Sequence, residues 1–455
     1  MVKKLNQKPP AGISEGDVNL SPQRAAWSAA HIDASTQALL AEDAQFFLHQ
    51  SLSSPCLNVL THSDGIYLQD TQNRKIMDFH GNSVHQVGYG HPKVVEAIKQ
   101  QLDTLPFCPR RYTNHIAIDL ARRLAELAPG QLNKMLFAPG GTNAIGMALK
   151  LARYATGRHK TISMWDSFHG ASLDAISIGG ESLFRKNVGP LLPGCEHIPP
   201  PTRGKCLFNC QNDAHDGCIA YLEYIIEMEG DIGALIAEPM RWTTVELPPK
   251  TYWRRVREIC DQHDILLIFD EIPSAIGRTG EMFVCEHFGV VPDMLVIGKG
   301  LGGGIFPLAA LIVREDLDVT GDRALGHYTH EKSSVGCAAA LATIDCLFDE
   351  KLIEKSAELG KTGLHYLSQM QARHPLIHDV RGLGLFFGIE LRCDDQPALQ
   401  AAEEIMYHSL SQGLSYKVGG GCVLTLCPPL TIKETDLLAA FDVIEQGLQI
   451  IGGSQ

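Results

Sequence analysis

Four short apolar runs in the middle of the chain constrain its fold more than any other feature. They are TISMW at 161–165, ALIAE at 234–238, ILLIFD at 265–270 and MLVIG at 294–298. Runs this short, apolar on both faces and separated by helical patterns, are typical of parallel strands buried in an α/β sheet. The sequence therefore predicts a large α/β domain with a mostly parallel sheet flanked by helices.

The two ends of the chain have different patterns. Helical periodicity is present over 21–50, over 337–373, and again from about 396 and 433, with the strand candidates LGLFFGIEL and VLTLCPP between the later helices. This indicates a smaller α/β domain, and 455 residues are enough for two or three domains. The predicted division is a loose N-terminal tail over 1–15, an N-terminal segment over 16–75 that joins the small domain, a large domain over 76–334 that carries the functional site, and a C-terminal small domain over 335–455.

Composition limits the classes of function. The formal charge of −13 is spread without long acidic or basic blocks, so it offers no electrostatic surface for nucleic acid or anionic lipid. No run of about 18 apolar residues is present to cross a bilayer, and the first residues lack the apolar stretch of a signal peptide. Thirteen scattered cysteines fit reduced thiols better than a disulfide framework. We therefore expect a cytoplasmic protein that acts on a small molecule.

Two opposite charges follow directly after apolar runs. Asp270 ends ILLIFD, and Lys299 comes after MLVIG and before a series of glycines. Open α/β sheets bind ligands at the carboxyl ends of their strands, so these side chains are candidates for catalysis. In pyridoxal-phosphate enzymes such a lysine forms a Schiff base and such a carboxylate keeps the pyridine nitrogen protonated. An ion pair at the sheet edge is the simpler alternative, and the two residues alone leave both interpretations open.

A glycine pair and a threonine precede a helical pattern in FAPGGTNAIGMALKLARYATG. The free amides of a helix N-terminus bind phosphate readily, so Gly141 and Thr142 are candidates for that role, with a plain helix cap as the alternative. Phe168, in WDSFHG, follows the next strand candidate and is suited either to stacking on an aromatic ring or to the core. Both segments favour the cofactor interpretation.

The sequence resembles the class III aminotransferase family from about Gly65 to near the C-terminus. The resemblance rests on the intervals between, and the residues of, the segments MDFHGNSVHQVGYGHPKVVEAI, GGTNAIGMALKLAR, WDSFHG, AEP, DEIPSAIGRTG, DMLVIGKGLGGG and VRGLGLFFGIEL. It implies a fold-type I pyridoxal-phosphate enzyme, with a large cofactor-binding domain and a smaller α/β domain. It also implies a homodimer or a dimer of dimers.

The resemblance implies roles for individual residues. Lys299 matches the Schiff-base lysine, and Asp270 matches the residue that binds the pyridine nitrogen. Gly141 and Thr142 match the phosphate-binding loop. Phe168 matches the aromatic residue that covers the cofactor, and Ile272 matches the aliphatic residue beneath it. Thr329 matches a threonine that reaches the cofactor phosphate from the neighbouring subunit. The remaining cofactor-binding candidates are His169 and Glu238.

Three departures from the family bear on the substrate. Most members carry an arginine that binds a substrate carboxylate where this chain has Thr425 in VLTLCPPL. A family glutamine that contacts the cofactor's phenolic oxygen is replaced by Pro273, which cannot supply that hydrogen bond. The glutamates common in the phosphate-loop helix are Asn143 and Gly146 here. The chain therefore need not catalyse ordinary transamination.

Two adjacent arginines, Arg110 and Arg111, lie between helical patterns in TLPFCPRRYTN. Paired guanidinium groups suit a phosphate or phosphonate, and solvated surface charges are the alternative. Related class III phospho-lyases have an arginine that Arg111 matches best. With EGDVNLSPQRAAW and HYTHEKSS, the sequence is most similar to bacterial lyases of phosphonate catabolism that remove ammonia from (R)-1-hydroxy-2-aminoethylphosphonate.

That similarity implies an elimination in which Lys299 removes a proton and the substrate's hydroxyl leaves, giving phosphonoacetaldehyde and ammonia. A general acid is needed, and the sequence does not identify it. The substrate-binding candidates besides the arginines are His80, Asn82 and Tyr112. The alternatives are a transaminase of an ω-amine or amino-phosphonate, a phospho-lyase of a phosphorylated amine, and a catalytically silent binding protein.

A loop rich in cysteine raises the question of zinc. Cys206, Cys210 and Cys218 stand near His197 and His215 in a stretch predicted to be a surface excursion. Three and seven residues separate the successive cysteines, and these intervals do not match a strong zinc motif. Loop thiols without a metal are the favoured interpretation, and no metal is predicted.

Overall fold

The structure is a computed structural model that describes residues 21–48, 50, 58–202, 206–210 and 215–452. The predicted N-terminal tail over 1–15 lies outside these residues. The described residues form two compact units, of which the larger contains 82–242 and 246–358. The smaller unit contains the described residues up to Gly81 together with 243–245 and those from Leu359 onward. No helix in the described ranges is long and apolar enough to cross a membrane.

Helices and strands alternate through most of the described chain. The α-helices are α1 (Pro22–His31), α2 (Ala34–Phe46), α3 (Pro92–Thr104), α4 (His115–Leu127), α5 (Gly141–Thr156), α6 (Leu173–Ile178), α7 (Ser182–Arg185), α8 (Asp216–Glu229), α9 (Lys250–Gln262), α10 (Val284–Phe288), α11 (Ser334–Asp349), α12 (Leu352–Arg373), α13 (Leu399–Ser411) and α14 (Glu434–Gly452). The strands are β1 (Leu60–Asp64), β2 (Tyr67–Asp70), β3 (Lys75–Asp78), β4 (Leu132–Ala138), β5 (Lys160–Met164), β6 (Cys195–Ile198), β7 (Ile232–Ala237), β8 (Leu266–Asp270), β9 (Met294–Ile297), β10 (Ala309–Arg314), β11 (Ile377–Gly382), β12 (Phe387–Cys393), β13 (Gln396–Pro397), β14 (Leu414–Ser415), β15 (Lys417–Gly419) and β16 (Val423–Leu426).

The larger unit is built on a seven-stranded sheet with the order β4-β10-β9-β8-β7-β5-β6. Strands β5 to β9 pair in parallel, whereas β10 is antiparallel to both of its neighbours, β4 and β9. The four apolar runs of the sequence are β5, β7, β8 and β9, and nearly all of their residues are buried. Helix α5 packs its apolar residues into the same core. The predicted α/β class with a mostly parallel sheet is confirmed.

The N-terminal helical pattern over 21–50 contains two helices, α1 and α2, and not one. The hydroxyl of Ser21 caps α1 by accepting a hydrogen bond from the N–H of Arg24 at 3.0 Å. The carboxylate of Asp33 caps α2 by accepting one from the N–H of Thr36 at 2.8 Å. A capping residue has extended backbone angles, so the helix must be interrupted at Asp33.

The smaller unit contains two sheets, with the orders β1-β2-β3-β14 and β11-β12-β16-β15, and β13 pairs with β12. Its extent differs from the predicted division at residue 335. Helix α11 lies wholly in the larger unit, and the division falls within α12 at Leu359. Eleven of the sixteen residues of α11 are buried, which explains why this helix belongs to the core of the larger unit.

Candidate active site

Hydrogen bonds hold the carboxylate of Asp270 rigidly at the end of β8. Only 2% of this residue is exposed. Its Oδ2 accepts a hydrogen bond from His169 Nδ1 at 2.8 Å, and its Oδ1 accepts one from the N–H of Ile272 at 3.1 Å. Because a carboxylate only accepts, the proton of the His169 ring lies on Nδ1. The structure thus brings three of the predicted site residues into one hydrogen-bonded group.

Lys299 has an unusual backbone conformation. It begins the short 3₁₀ helix Lys299–Gly302 that follows β9, and its φ is +46°. Residues with a side chain rarely adopt this left-handed region, and the strain persists only where the surrounding structure imposes it, often at a functional site. The Lys299 Nζ lies 4.3 Å from the centroid of the Trp242 ring, a cation–π contact. Trp242 was not among the candidates, because nothing in its local sequence distinguishes it.

The start of α5 has the features of an anion-binding site. The helix has no side-chain cap, so the N–H groups of its first turn remain available to a ligand. A Cβ atom on Gly141 would lie 2.7 Å from the Cδ1 of Ile272, and one on Gly170 would collide with the side chain of Thr142. Only glycine fits at these two positions, and this lets Ile272 and Thr142 approach the loop closely.

Ile272 connects the parts of the site. It follows Asp270 by two residues and packs against Gly141 at the start of α5. Its Cγ2 lies 3.4 Å from the Cβ position of Gly298, the residue before Lys299. These contacts join the turn after Asp270 to the start of α5 and to the backbone just before Lys299, so the space beside Ile272 is the candidate cofactor site.

The buried ring of His169 supports the fit of pyridoxal phosphate to this space. Its Nε2 has no hydrogen-bond partner in the described part of the chain, although the side chain is fully buried. A buried polar atom left unpaired costs free energy, so it is a place where a ligand or water is expected. Asp270 suits the ring nitrogen of the cofactor, Lys299 its aldehyde, and the start of α5 its phosphate. The residues present therefore fit the predicted cofactor.

Glu238 organises two of the loops at the site. Its Oε1 accepts a hydrogen bond from the N–H of Phe168 at 3.1 Å, and its Oε2 accepts one from the N–H of Trp242 at 3.2 Å. It also forms an ion pair with Arg241. The Phe168 ring lies 4.6 Å from the ring of Phe184. These contacts make Glu238 a positioning residue, and its predicted contact with the cofactor stays a prediction.

Glu271 follows Asp270 and has a different task. It is fully buried and accepts hydrogen bonds from the N–H groups of Val284 at 2.6 Å and Cys285 at 2.8 Å. Burial raises the pKa of Glu271 to about 7, against the opposing effect of these hydrogen bonds. The residue anchors the turn after β8 to the start of α10.

The departure from the family at Gly146 has a structural explanation. A Cβ atom on Gly146 would lie 2.5 Å from the Oδ2 of Asp174, so the glycine makes room for this carboxylate. Asp174 accepts a hydrogen bond from Ser172, whose hydroxyl also bonds the Thr142 hydroxyl at 2.6 Å. The acidic group beside α5 thus comes from another helix, α6, and is connected to the predicted phosphate loop.

Gln86 is a buried amide that the sequence analysis missed. It is 1% exposed, and neither its Nε2 nor its Oε1 has a hydrogen-bond partner among the described residues. It packs so closely on Gly300, the residue after Lys299, that a Cβ atom there would overlap it. Pro273, which replaces the family's glutamine, accepts a hydrogen bond from the Ser83 hydroxyl through its backbone carbonyl oxygen at 2.6 Å. The chain therefore has an unpaired amide beside the lysine turn, although it lacks the usual one.

Arg110 and Arg111 have different partners, and both are exposed in the single chain. Arg110 forms an ion pair with Glu331 at 3.3 Å and donates a second hydrogen bond to the ring of His327. The guanidinium carbon of Arg111 lies 5.3 Å from the centroid of the Tyr112 ring, and within the described ranges Arg111 has no ion pair. Arg111 is thus the arginine that remains available to an anion.

Three further candidates lie outside the contacts described so far. Asn82 is exposed and has a φ of +46° in the short 3₁₀ helix Gly81–Ser83. His80 belongs to the smaller unit. Thr329 is exposed two residues before Glu331, the partner of Arg110. Their predicted roles at the site stay predictions.

Thr425, where the family carries its carboxylate-binding arginine, is buried in the smaller unit. It is 1% exposed, and its hydroxyl donates a hydrogen bond to the carbonyl oxygen of Thr243 at 2.7 Å. Thr425, in β16, lies opposite Gly388 of β12. A Cβ atom on Gly419 would lie 3.2 Å from the Thr425 hydroxyl oxygen. The Thr425 hydroxyl thus lies against the backbone of Thr243 and Gly419, and the longer side chain of an arginine would have to displace packed neighbours.

We therefore expect Thr425→Arg to destabilise the protein without improving its native reaction. An uncompensated charge in this position should cost about 3 to 5 kcal/mol, whereas Thr425→Val, which removes only the hydroxyl, should cost about 1 kcal/mol. Thermal denaturation of both variants measures the difference. An arginine variant as stable as the valine variant, or one that is more active on the native substrate, would show that the site has more room than this.

Comparisons with known proteins agree with this geometry. Residues 49–448 match the family described as aminotransferase class-III. The (R)-1-hydroxy-2-aminoethylphosphonate ammonia-lyase of Vibrio splendidus is 49% identical over 96% of this chain and 95% of its own. The acetylornithine aminotransferase of Methanopyrus kandleri is 35% identical over 86% of this chain and 95% of its own.

A solved structure extends the agreement to the fold. The PLP-bound amine transaminase of an uncultivated Pseudomonas species has a TM-score of 0.82 and 30% identity, with 89% of this chain and 97% of that chain covered. The predicted fold-type I architecture is confirmed by this and by other transaminase structures, which reach a TM-score of 0.84. The cofactor is therefore pyridoxal phosphate, as predicted, and the chain belongs to the class III aminotransferase family.

Proposed function

We propose that the protein is a lyase that eliminates ammonia from (R)-1-hydroxy-2-aminoethylphosphonate and forms phosphonoacetaldehyde. The observation that carries the proposal is the 49% identity, over nearly the whole chain, to the Vibrio enzyme of that activity. The buried Thr425 supports it, because a substrate whose anion is a phosphonate does not require the family's carboxylate-binding arginine. A transaminase would keep the substrate's nitrogen for transfer to an acceptor, whereas the proposed reaction releases it as ammonia.

The residues of the site have separate chemical roles in the proposed reaction. Bound pyridoxal phosphate withdraws electrons from the substrate carbon that carries the amine. Lys299 Nζ holds the cofactor until the substrate arrives and then removes the proton from that carbon. Asp270, oriented by His169 and by the N–H of Ile272, keeps the proton on the pyridine nitrogen. Trp242, which covers Nζ, limits the positions that the amine can adopt.

The reaction is balanced without an amino acceptor. The substrate loses a proton from one carbon and its hydroxyl from the next, which together leave as water. One water molecule is then consumed when the carbon–nitrogen bond is hydrolysed, so the net products are phosphonoacetaldehyde and ammonia. Hydroxide is a poor leaving group and needs a proton donor. The predicted candidates are His80, Asn82 and Tyr112, and of these Tyr112 contacts Arg111, the proposed phosphonate contact.

Arg111 is the proposed contact for the phosphonate. Its guanidinium is exposed, has no ion pair within the described ranges, and is held over the Tyr112 ring. Arginine binds phosphonate oxygens through paired N–H groups, which suits it better than lysine to this role. Arg110 is already bound to Glu331 and His327 and is proposed to hold the neighbouring segment in place.

The active unit is proposed to be at least a homodimer in the cytoplasm. Thr329 is exposed in the single chain. The class III resemblance implies that this threonine reaches the cofactor phosphate of the neighbouring subunit. The twelve cysteines within the described ranges form no disulfide, a state that a reducing compartment maintains. Light scattering of the active protein tests the assembly, and a fully active monomer would contradict it.

The test of the reaction is turnover without a keto acid. The purified holoenzyme incubated with the hydroxy-amino phosphonate alone should release ammonia and phosphonoacetaldehyde in equal amounts. 2-Aminoethylphosphonate, which lacks the hydroxyl that must leave, is the matched control and should give no ammonia. Substrate consumption that depends on an added keto acid and frees no ammonia would favour the second candidate, transamination of an amine or amino-phosphonate, which the amine transaminase similarity supports. Release of inorganic phosphate would indicate a phospho-lyase.

A further inference from the structure

Three thiols and an imidazole converge at the start of α8. The Sγ atoms of Cys206, Cys210 and Cys218 and a ring nitrogen of His215 all lie within 4.8 Å of one another. Cys218 Sγ lies 3.2 Å from Cys206 Sγ, 3.9 Å from Cys210 Sγ and 3.7 Å from His215 Nδ1. His197, the other histidine considered from the sequence, is not part of this group. The four residues are called the Cys/His cluster below.

The separations in the Cys/His cluster are close to those around a zinc ion. Tetrahedral zinc binds sulfur at about 2.3 Å and nitrogen at about 2.0 to 2.1 Å, which sets neighbouring ligands roughly 3.5 to 3.8 Å apart. Of the three distances from Cys218, those to His215 Nδ1 at 3.7 Å and Cys210 Sγ at 3.9 Å lie near the upper end of that range, and that to Cys206 Sγ at 3.2 Å is shorter. A disulfide would require about 2.05 Å, so Cys206 and Cys218 are separate thiols. Three cysteines and one histidine form one of the closed ligand sets of structural zinc.

The surroundings of the Cys/His cluster suit a buried metal. Cys206 is 7% exposed, and Cys218 and His215 are each 3% exposed. The Tyr252 ring packs edge-to-face on the His215 ring at 5.9 Å, and its fully buried hydroxyl has no hydrogen-bond partner among the described residues. Backbone N–H groups of Phe208 and Cys210 donate to the Cys206 sulfur. Outer donors of this kind orient metal ligands and stabilise thiolates.

The backbone is bent so that the ligands meet. Asn209 has a φ of +51° and His215 a φ of +53°, a region that costs free energy for residues with a side chain. A Cβ atom on Gly217 would lie 2.7 Å from Phe208 Cβ and 3.3 Å from Cys210 Sγ, so glycine is required for this approach. Metal binding contributes free energy to folding and can offset such costs.

We propose that Cys206, Cys210, His215 and Cys218 bind one zinc ion. Four protein ligands leave no open position for a substrate or for water, so the site is structural and not catalytic. It ties residues 206–210 to the start of α8 and, through Tyr252, to α9. The proposal replaces the expectation of loop thiols without a metal, and it does not depend on the proposed reaction.

The first test is the metal content of the full-length protein, purified without a metal-binding tag or chelator. Elemental analysis should find about one zinc ion per chain. Cys218→Ser and His215→Ala should each lower the zinc content to background. Cys393→Ser, which changes an exposed cysteine outside the cluster, is the matched control and should keep the zinc. A control variant that lost its zinc as the cluster variants do would overturn the assignment.

A second test uses the wild-type chain, because loss of a ligand can also unfold the loop. Cobalt(II) exchanged into the reduced protein should give the thiolate charge-transfer and intense visible bands of a tetrahedral sulfur site. Removal of the metal by a chelator should lower the Tm, and added zinc should restore it. Wild-type protein with neither zinc nor these cobalt bands would overturn the proposal. So would a Cys206–Cys218 disulfide in protein isolated under reducing conditions.

Discussion

Lys299→Ala is expected to lose more than about 1,000-fold in turnover while still binding the cofactor, since proton transfer by a positioned side chain alone contributes about 10²- to 10⁴-fold. The variant also loses the covalent attachment that Lys299 provides. Steady-state assays of the variant measure the first effect. The second is measured by borohydride reduction of the wild-type holoenzyme, followed by peptide mapping, which should find the cofactor on Lys299.

A matched control distinguishes the loss of the Lys299 amine from the effect of removing any lysine of the larger unit. Lys134→Ala removes a lysine of the same unit that pairs with Asp318 on the surface, and it should keep its activity. The absorbance of bound cofactor should persist in the alanine variant at Lys299 but change in form, because the covalent link is absent. If the reduced cofactor were recovered on a peptide that lacks Lys299, the assignment of the site would be wrong.

Arg111→Ala is expected to lower kcat/KM by roughly 30- to 1,000-fold, which corresponds to about 2 to 4 kcal/mol for truncation of a charge-paired group. The reason is that Arg111 has no ion pair within the described ranges and is free to bind the phosphonate. Arg111→Lys keeps the charge but not the paired N–H geometry, so its loss should be smaller. Cofactor absorbance and oligomer size should stay unchanged.

Arg110→Ala is the comparison for the arginine pair. Its guanidinium is bound to Glu331 and His327, so we expect a smaller catalytic loss that comes from rearrangement of the segment around Glu331. Full activity of both alanine variants on the hydroxy-amino phosphonate would remove the basis for a phosphonate clamp at this pair. The reaction would then have to be reconsidered, with transamination as the first alternative.

The fold and the central candidates of the site could be predicted because both depend on patterns within short stretches of the sequence. Strands buried on both faces must be apolar throughout, and β5, β7, β8 and β9 are visible for that reason. Ligand sites of open sheets lie at strand ends, so Asp270 and Lys299 could be chosen as candidates from their place after apolar runs. The hydrogen bond between Asp270 and His169 joins residues 101 positions apart and has no local mark.

Other features depend on contacts that no local pattern records. Gln86 is a lone amide in a weakly apolar stretch, and its importance comes from its packing on Gly300. The proposed zinc site was not favoured from the sequence, because its cysteine intervals match no strong zinc motif and because the left-handed backbone at His215, which brings this residue to the cysteines, has no local mark. The division within α12 was missed because α11 is apolar on nearly all sides, whichever unit it joins.

The position of β10 has a consequence for the order of folding during synthesis. Strand β4, which leads into the start of α5, has β10 as its one neighbour among the described strands of the sheet, and about 170 residues separate the two strands. At roughly 5 to 20 residues per second, a ribosome needs on the order of 10 to 30 s to make that interval. Strands β5 to β9 can pair as they emerge, whereas β4 must wait. We therefore expect β4, and with it the start of α5, to gain its place in the sheet only after β10 has left the ribosome.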